Sequence, residues 1–270
     1  MGIFGRLATG LRLARGSLAV LRDHPKLLAF PLIGGVAGLV FIATLLGGAV
    51  VGTGGESGPV LYAALFGIYV GSTFIASFFT AALMHATRET FHGEQPSVRR
   101  SMAAAWRHKW SLLAWAVVAA VVGVLIRALE ESNELVAQVV AVFFALGWAV
   151  MTYFVVPVIV FEDTGLRGTF SRSGGLVKEL WGESLGAEAG VSIVTFLLVL
   201  VGVVVTAVAF FVLPSGTLAG FLVVVAIGAV AIVGALLVGM ALTGIAKTAL
   251  YVYATEDETP PYFGGMDFGR

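Results

Sequence analysis

The sequence predicts an all-α membrane protein with six transmembrane helices, on three observations. Apolar residues make up 59% of the 270-residue chain and charged residues only 12%, against about 25% charged in an ordinary soluble domain. Five stretches, 27–55, 57–87, 110–126, 135–161 and 189–246, contain no charged residue. Fifteen of the sixteen Lys and Arg fall in alternate segments between those stretches. A soluble fold of this size cannot keep so much apolar surface from water, whereas a bilayer accepts it.

Residues 1–26 read as a cytoplasmic amphipathic segment. Phe4, Leu7, Leu11, Ala14, Leu18 and Leu21 recur at alternating three- and four-residue spacing and share one helix face. Arg12 and Arg15 lie beside that stripe and Arg6 lies across from it. Such a helix is expected to lie in the interface, its arginines reaching lipid headgroups. The basic region and the apolar stretch behind it are both too long for a cleaved signal peptide, so the first span is expected to be a retained signal-anchor.

A span needs about 20 apolar residues, so the first four charge-free runs give one helix each. The fifth is long enough for two and divides at Pro214-Ser215-Gly216, where Pro ends one helix and Gly permits the bend. The predicted spans are 27–51, 60–84, 110–129, 135–161, 189–213 and 217–246, the last running on to Tyr253. They form one six-helix domain over 27–253, followed by a cytoplasmic tail over 254–270. That tail is acidic, then aromatic (Glu256, Asp257, Glu258, Tyr262, Phe263, Phe268), and is expected to be disordered, the alternative being that it docks on the cytoplasmic face or binds a partner. Within the fourth span Pro157 removes one backbone donor and should kink the helix about one turn back.

Orientation follows from Lys and Arg. Arg6, Arg12, Arg15, Arg22 and Lys26 precede the first span, and Arg88, Arg99, Arg100, Arg107 and Lys109 follow the second. Arg167, Arg172 and Lys178 follow the fourth, and Lys247 and Arg270 close the chain. The other side holds Arg127 alone, beside Glu56, Glu130, Glu131 and Glu134. The protein is expected to be a multi-pass protein of the cell membrane, with its basic side and both termini cytoplasmic.

The three basic stretches resemble one another in kind. The second begins after Pro96 with Ser97 at an N-cap position and presents Met102, Ala105 and Trp106. The third runs from Thr169 with Phe170, Val177, Leu180, Trp181 and Leu185. The plan reads as three hairpins, each preceded by a cytoplasmic interfacial helix. Arg15, Leu21, Arg22, Leu27, Leu28 and Ala29 match Arg100, Trp106, Arg107, Leu112, Leu113 and Ala114 at an offset of 85, and Arg172-Ser173 echoes Arg100-Ser101. Gly34 with Gly38, Gly67 with Gly71, and Ala235 with Gly239 are small-residue pairs at the spacing that lets helices approach closely, within or between subunits.

Most chemistry is excluded. Zero formal net charge and the lack of a soluble basic module argue against nucleic acid. The absence of Cys removes disulfides, thiolate metal sites and palmitoylation. Gly182-Glu183-Ser184-Leu185-Gly186 matches G-x-S-x-G, but it falls in an amphipathic helix with all four His upstream, where the motif needs a strand–turn–helix context. His85, Glu89 and His92 share a helix face at metal-ligand spacing, yet Arg88 beside them fits a hydrated interfacial face as well. No phosphate loop is present. No catalytic residue, metal or cofactor is therefore expected. Membrane pumps hold ionisable groups at mid-depth, whereas here the span interiors are almost bare. Lys247 is expected to pair with Glu162, Asp163 or Glu188 near the cytoplasmic ends.

Several segments resemble a known family. They are Thr152-Tyr153-Phe154-Val155-Val156-Pro157-Val158-Ile159-Val160-Phe161-Glu162, then Arg172-Ser173 and Trp181-Gly182-Glu183, the early Leu27-Leu28-Ala29-Phe30-Pro31-Leu32, the run 115–131, and Ala249-Leu250-Tyr251-Val252-Tyr253-Ala254. Together they resemble an uncharacterised six-helix integral-membrane family of bacteria and haloarchaea. The resemblance implies a six-helix membrane domain and no activity. A more distant likeness is to the membrane domain of some glycerophosphodiester phosphodiesterases; no catalytic domain of that kind is present, so that activity is not carried over. The expectation is a non-enzymatic homo-oligomer that organises or binds lipid and membrane partners, with Arg6, Arg12, Arg15, Arg22, Arg99, Arg100 and Arg107 on headgroups. The alternatives are a channel or facilitator for a small solute or ion, and an intramembrane enzyme.

Overall fold

Every described element is helical. The structure is a computed structural model that describes residues 3–54, 58–132, 134–162, 164–213, 217–256 and 259–264, the side chains of 3–8 and 181–185 excepted. The order is α1 (Ile3–Asp23), a 3₁₀ turn (Pro25–Leu28), α2 (Ala29–Thr53), α3 (Pro59–Phe91), α4 (Val98–Arg107), α5 (Lys109–Glu130), α6 (Leu135–Met151), α7 (Val155–Glu162), α8 (Leu166–Glu179), α9 (Trp181–Val212) and α10 (Leu218–Glu256).

Six helical stretches are long and apolar enough to cross a bilayer: Pro25–Thr53, Pro59–Phe91, Lys109–Glu130, Leu135–Glu162, Gly186–Val212 and Leu218–Glu256. Their outward surfaces are apolar, with Leu39 and Phe143 each 70% exposed and Phe211 83%. Water does not tolerate that much contiguous apolar surface on one chain; hydrocarbon does. The expected turn at Pro214-Ser215-Gly216 lies outside the described residues.

Two of the return helices outrun the expected ends. α3 continues past 84 to Phe91, and α10 past Tyr253 to Glu256. Polar residues end the apolar runs, but packing carries the helices on. Ala86, Thr87 and Thr90 are buried in α3, and Thr248, Ala249 and Tyr251 in α10. Thr87 and Thr90 donate to Leu83 O and Ala86 O, and Thr248 to Gly244 O, so each buried hydroxyl is satisfied one turn back.

The expected single domain over 27–253 divides by its contacts into two compact units, residues 29–179 and residues 1–28 with 180–270. In the first, α2 and α3 form a hairpin in which Gly67 faces Leu45, Gly71 faces Phe41 and Gly34 faces Phe79. α4 lies on α3, with Trp106 edge-on to Phe78 at 6.0 Å. α5 pairs with α6, α7 packs on α3, and α8 packs on α6 and α7. In the second unit, α9 and α10 form a hairpin with Gly228 against Thr206 and Gly239 against Thr195. α1 packs on both, and Gly10 meets the backbone of Gly186 and Gly190 so closely that a Cβ on Gly10 would overlap it.

α4 and α8 each pack on a helix that precedes them, α4 on α3 and α8 on α6 and α7. The short connection 92–97 folds α4 back onto α3, which it has just left. α1 packs on the hairpin of α9 and α10. Its buried face is rotated by roughly a quarter turn from the expected stripe. Leu13, Ala14, Ser17, Val20 and Leu21 are buried, while Leu18 is 45% exposed. Small residues at Gly10 and Gly16 let α1 approach closely on that side; Phe4 and Leu7 fall among the side chains not described.

Candidate functional site

One group of charged residues in the first unit lies near the ends of α3, α4, α7 and α8. Arg100 Nε donates to Glu89 Oε1 at 2.6 Å, and its Nη2 donates to Glu94 Oε2 at 3.3 Å and to the Gln95 carbonyl at 3.1 Å. The Glu89 hydrogen bond, then its charge, pushes the Arg100 guanidinium above its ordinary pKa. Arg100, expected on headgroups, is thus turned to α3 by a carboxylate one helix away. His85 Nδ1 lies 3.6 Å from Glu89 Oε1 along the same helix. His92 caps α3 and is exposed, and among the described residues no group of His, Asp and Glu is placed to hold a metal ion. Ser97 does occupy the N-cap position of α4, without a side-chain capping bond.

The second feature is the interruption of span four. Helix α6 ends at Met151 and α7 begins at Val155, just before Pro157. Pro157 has no N–H, so the Tyr153 carbonyl loses its helical donor and the ladder opens over 152–154. Ser173 on α8 fills the opening. Its hydroxyl donates to the Met151 carbonyl at 2.8 Å and accepts from the Phe154 N–H at 3.1 Å. Beside it, Phe170 sits 5.8 Å from Trp115 and 5.9 Å from Trp148, whose rings stack at 5.8 Å. Beyond the break, Arg172 Nε donates to Glu162 Oε1 at 2.9 Å, and Arg88 lies over the Phe161 ring at 4.9 Å. One short helix therefore clamps both halves of a broken span. Sequence reasoning paired Arg172-Ser173 with Arg100-Ser101 but missed this role. The usable signal was a Ser on the apolar side of an amphipathic helix close behind a helix-breaking Pro.

Several other basic residues face outward. On α1, Arg12, Arg15 and Arg22 are exposed opposite the buried face, and Arg15, Leu18, Ala19, Arg22 and Asp23 line a groove of about 380 Å³. The Arg6 side chain is outside the described set. On α4, Arg99 and Arg107 are exposed. At the α4–α5 elbow, Trp106 and Trp110 are 55% and 71% exposed, and Lys109 Nζ lies 4.7 Å from one ring and 5.7 Å from the other. A cation held between two indoles is an amphipathic anchor of the kind enriched at membrane surfaces.

The expected partners of Lys247 resolve unevenly. Its Nζ lies 4.0 Å from Glu188 Oε2, at the outer limit of an ion pair. Glu162 instead holds Arg172, because α8 brings that guanidinium within hydrogen-bond reach, and Asp163 lies outside the described residues. The Gly182–Gly186 motif lies inside helix α9, not at a strand-to-helix turn, and the Ser184 side chain is outside the described set.

Compared with known proteins, residues 59–261 match the model of a family of unknown function, DUF6159. No curated protein and no solved structure matches the chain, so the distant likeness to phosphodiesterase membrane domains finds no support.

Proposed function

We propose that this chain, which belongs to the family of unknown function DUF6159, is a non-enzymatic protein of the cell membrane that binds anionic lipid headgroups and organises membrane partners as a homo-oligomer. Both termini lie in the cytoplasm in this reading, as the distribution of Lys and Arg favours. The observation that carries it is the two-sidedness of α1. Its arginines project from one side while Leu13, Ala14, Ser17 and Val20 are buried on the other. The Trp106–Lys109–Trp110 elbow, with Arg99 and Arg107 exposed nearby, supplies a second surface of the same character. An arginine beside an anionic leaflet contributes about 1 kcal/mol. Support for self-association comes from α2, where Gly38, Gly47, Gly48 and Gly52 have nothing near the position of a side chain.

The test is lipid selectivity of the purified protein. The wild type should prefer phosphatidylglycerol to phosphatidylcholine. Changing Arg12, Arg15 and Arg22 together to Gln should reduce that preference by up to roughly 100-fold at low salt, with less effect at high salt. A variant as selective as the wild type would remove the basis of the reading. Light scattering that returned the mass of a single chain would remove its oligomeric part.

One observation favours a channel or facilitator as a second reading, namely the interruption of span four at 152–154. Solute or ion flux in liposomes, altered by Pro157→Ala, would support it; absent flux would count against it.

A further inference from the structure

The docking helix α4 is held near α3 by a short loop, 92–97. A short loop keeps its ends at high effective concentration. α1 lacks such a link. It stands at the opposite end of the sequence from α10, yet it packs on α9 and α10.

The segment that follows α10 packs on α1. Pro260 is buried, and Phe263 has no exposed surface. The Phe263 ring lies on Gly16 of α1, where a Cβ would meet ring carbons at 2.6 and 2.8 Å. Two helical turns further along α1, the Tyr262 hydroxyl donates to Asp23 Oδ2 at 2.9 Å. That bond holds the tyrosine above its ordinary pKa. Tyr262 has φ 75°, a conformation that side-chain-bearing residues adopt at a cost. The contacts at Asp23 and Gly16 keep it there. The Tyr262 side chain is 42% exposed.

We propose that residues 259–263 form a releasable strap across α1. It seats α1 on the α9–α10 hairpin, and when it comes away α1 leaves that seat and uncovers its buried face. This inference does not depend on lipid binding.

The test uses the full chain in lipid nanodiscs. Because the chain has no Cys, Ser17→Cys introduces a single thiol at a fully buried hydroxyl that has no hydrogen-bond partner. In this variant maleimide labelling should be slow. Adding Phe263→Ala, or Gly16→Leu to expel the ring, should raise the labelling rate roughly tenfold. Hydrogen exchange in α9 and α10 should stay unchanged. Equal labelling with and without the second substitution would overturn the proposal. So would faster labelling accompanied by loss of protection in α9 and α10, because the tail would then support the hairpin itself. Fast labelling of Ser17→Cys alone would show that α1 has no seat to be strapped to, and would overturn it equally.

Discussion

Gly10→Leu should dislodge α1 from the last hairpin. Gly10 faces the main chain of Gly186 and Gly190, so a new side chain there meets backbone and not a movable side-chain end. Interiors packed to crystal density cannot absorb it locally. Overpacking costs about 1–3 kcal/mol where neighbours can shift, and here the helices themselves must separate. Hydrogen exchange in α1 should rise to that of an unpacked segment while α9 and α10 keep their protection. Gly190→Leu should have the same effect from the other side of the contact. Gly38→Leu is the control, since nothing lies near its side-chain position, and it should leave the melting temperature of the single chain unchanged.

Ser173→Ala should weaken the clamp on span four. It strips a partner from both the Phe154 N–H and the Met151 carbonyl, and Phe154 is fully buried. Leaving a buried backbone group unsatisfied costs about 1–3 kcal/mol. Thermal unfolding in detergent should report that loss, with faster exchange in α8. Ser173→Thr keeps the hydroxyl and should restore most of it. Pro157→Ala supplies the missing N–H and lets the helix close over 152–154. The double variant should therefore lose less stability than Ser173→Ala alone, a coupling that a double-mutant cycle measures. If the two losses simply add, Ser173 is not compensating for the proline.

The six apolar helices were legible because hydrocarbon imposes one strong constraint, a long run without charge, which 27–55 and 189–246 display openly. The ends of α3 and α10 were less legible. His85, Arg88 and Glu89 stop the apolar run, but Ala86 and Thr87 still pack on neighbours, and composition alone does not reveal a neighbour. The periodicity of α1 gave its amphipathic character but not its seat. Two sides of that helix are apolar or small, and Gly10 and Gly16 decided which one is buried, through backbone approach and not hydrophobicity. The arginines were visible as a set, yet Arg100 and Arg172, although exposed, bond to carboxylates of neighbouring helices, whereas Arg99 and Arg107 point to solvent. That choice depends on Glu89 and Glu162 being one helix away, a relation that exists only after folding. Phe263 looked like part of a loose end, and its place on Gly16 could not be inferred from positions so far apart in sequence.

Six crossings of the bilayer would place successive connections on alternate sides and keep the basic ones on one of them. Single cysteines at Ser97, Ser132, Thr217 and Thr259, each in the otherwise Cys-free chain, measure that directly with an impermeant maleimide on intact cells. Ser132→Cys and Thr217→Cys should label from outside, and Ser97→Cys and Thr259→Cys only after permeabilisation. Labelling of Ser97→Cys and Ser132→Cys from the same side would contradict it.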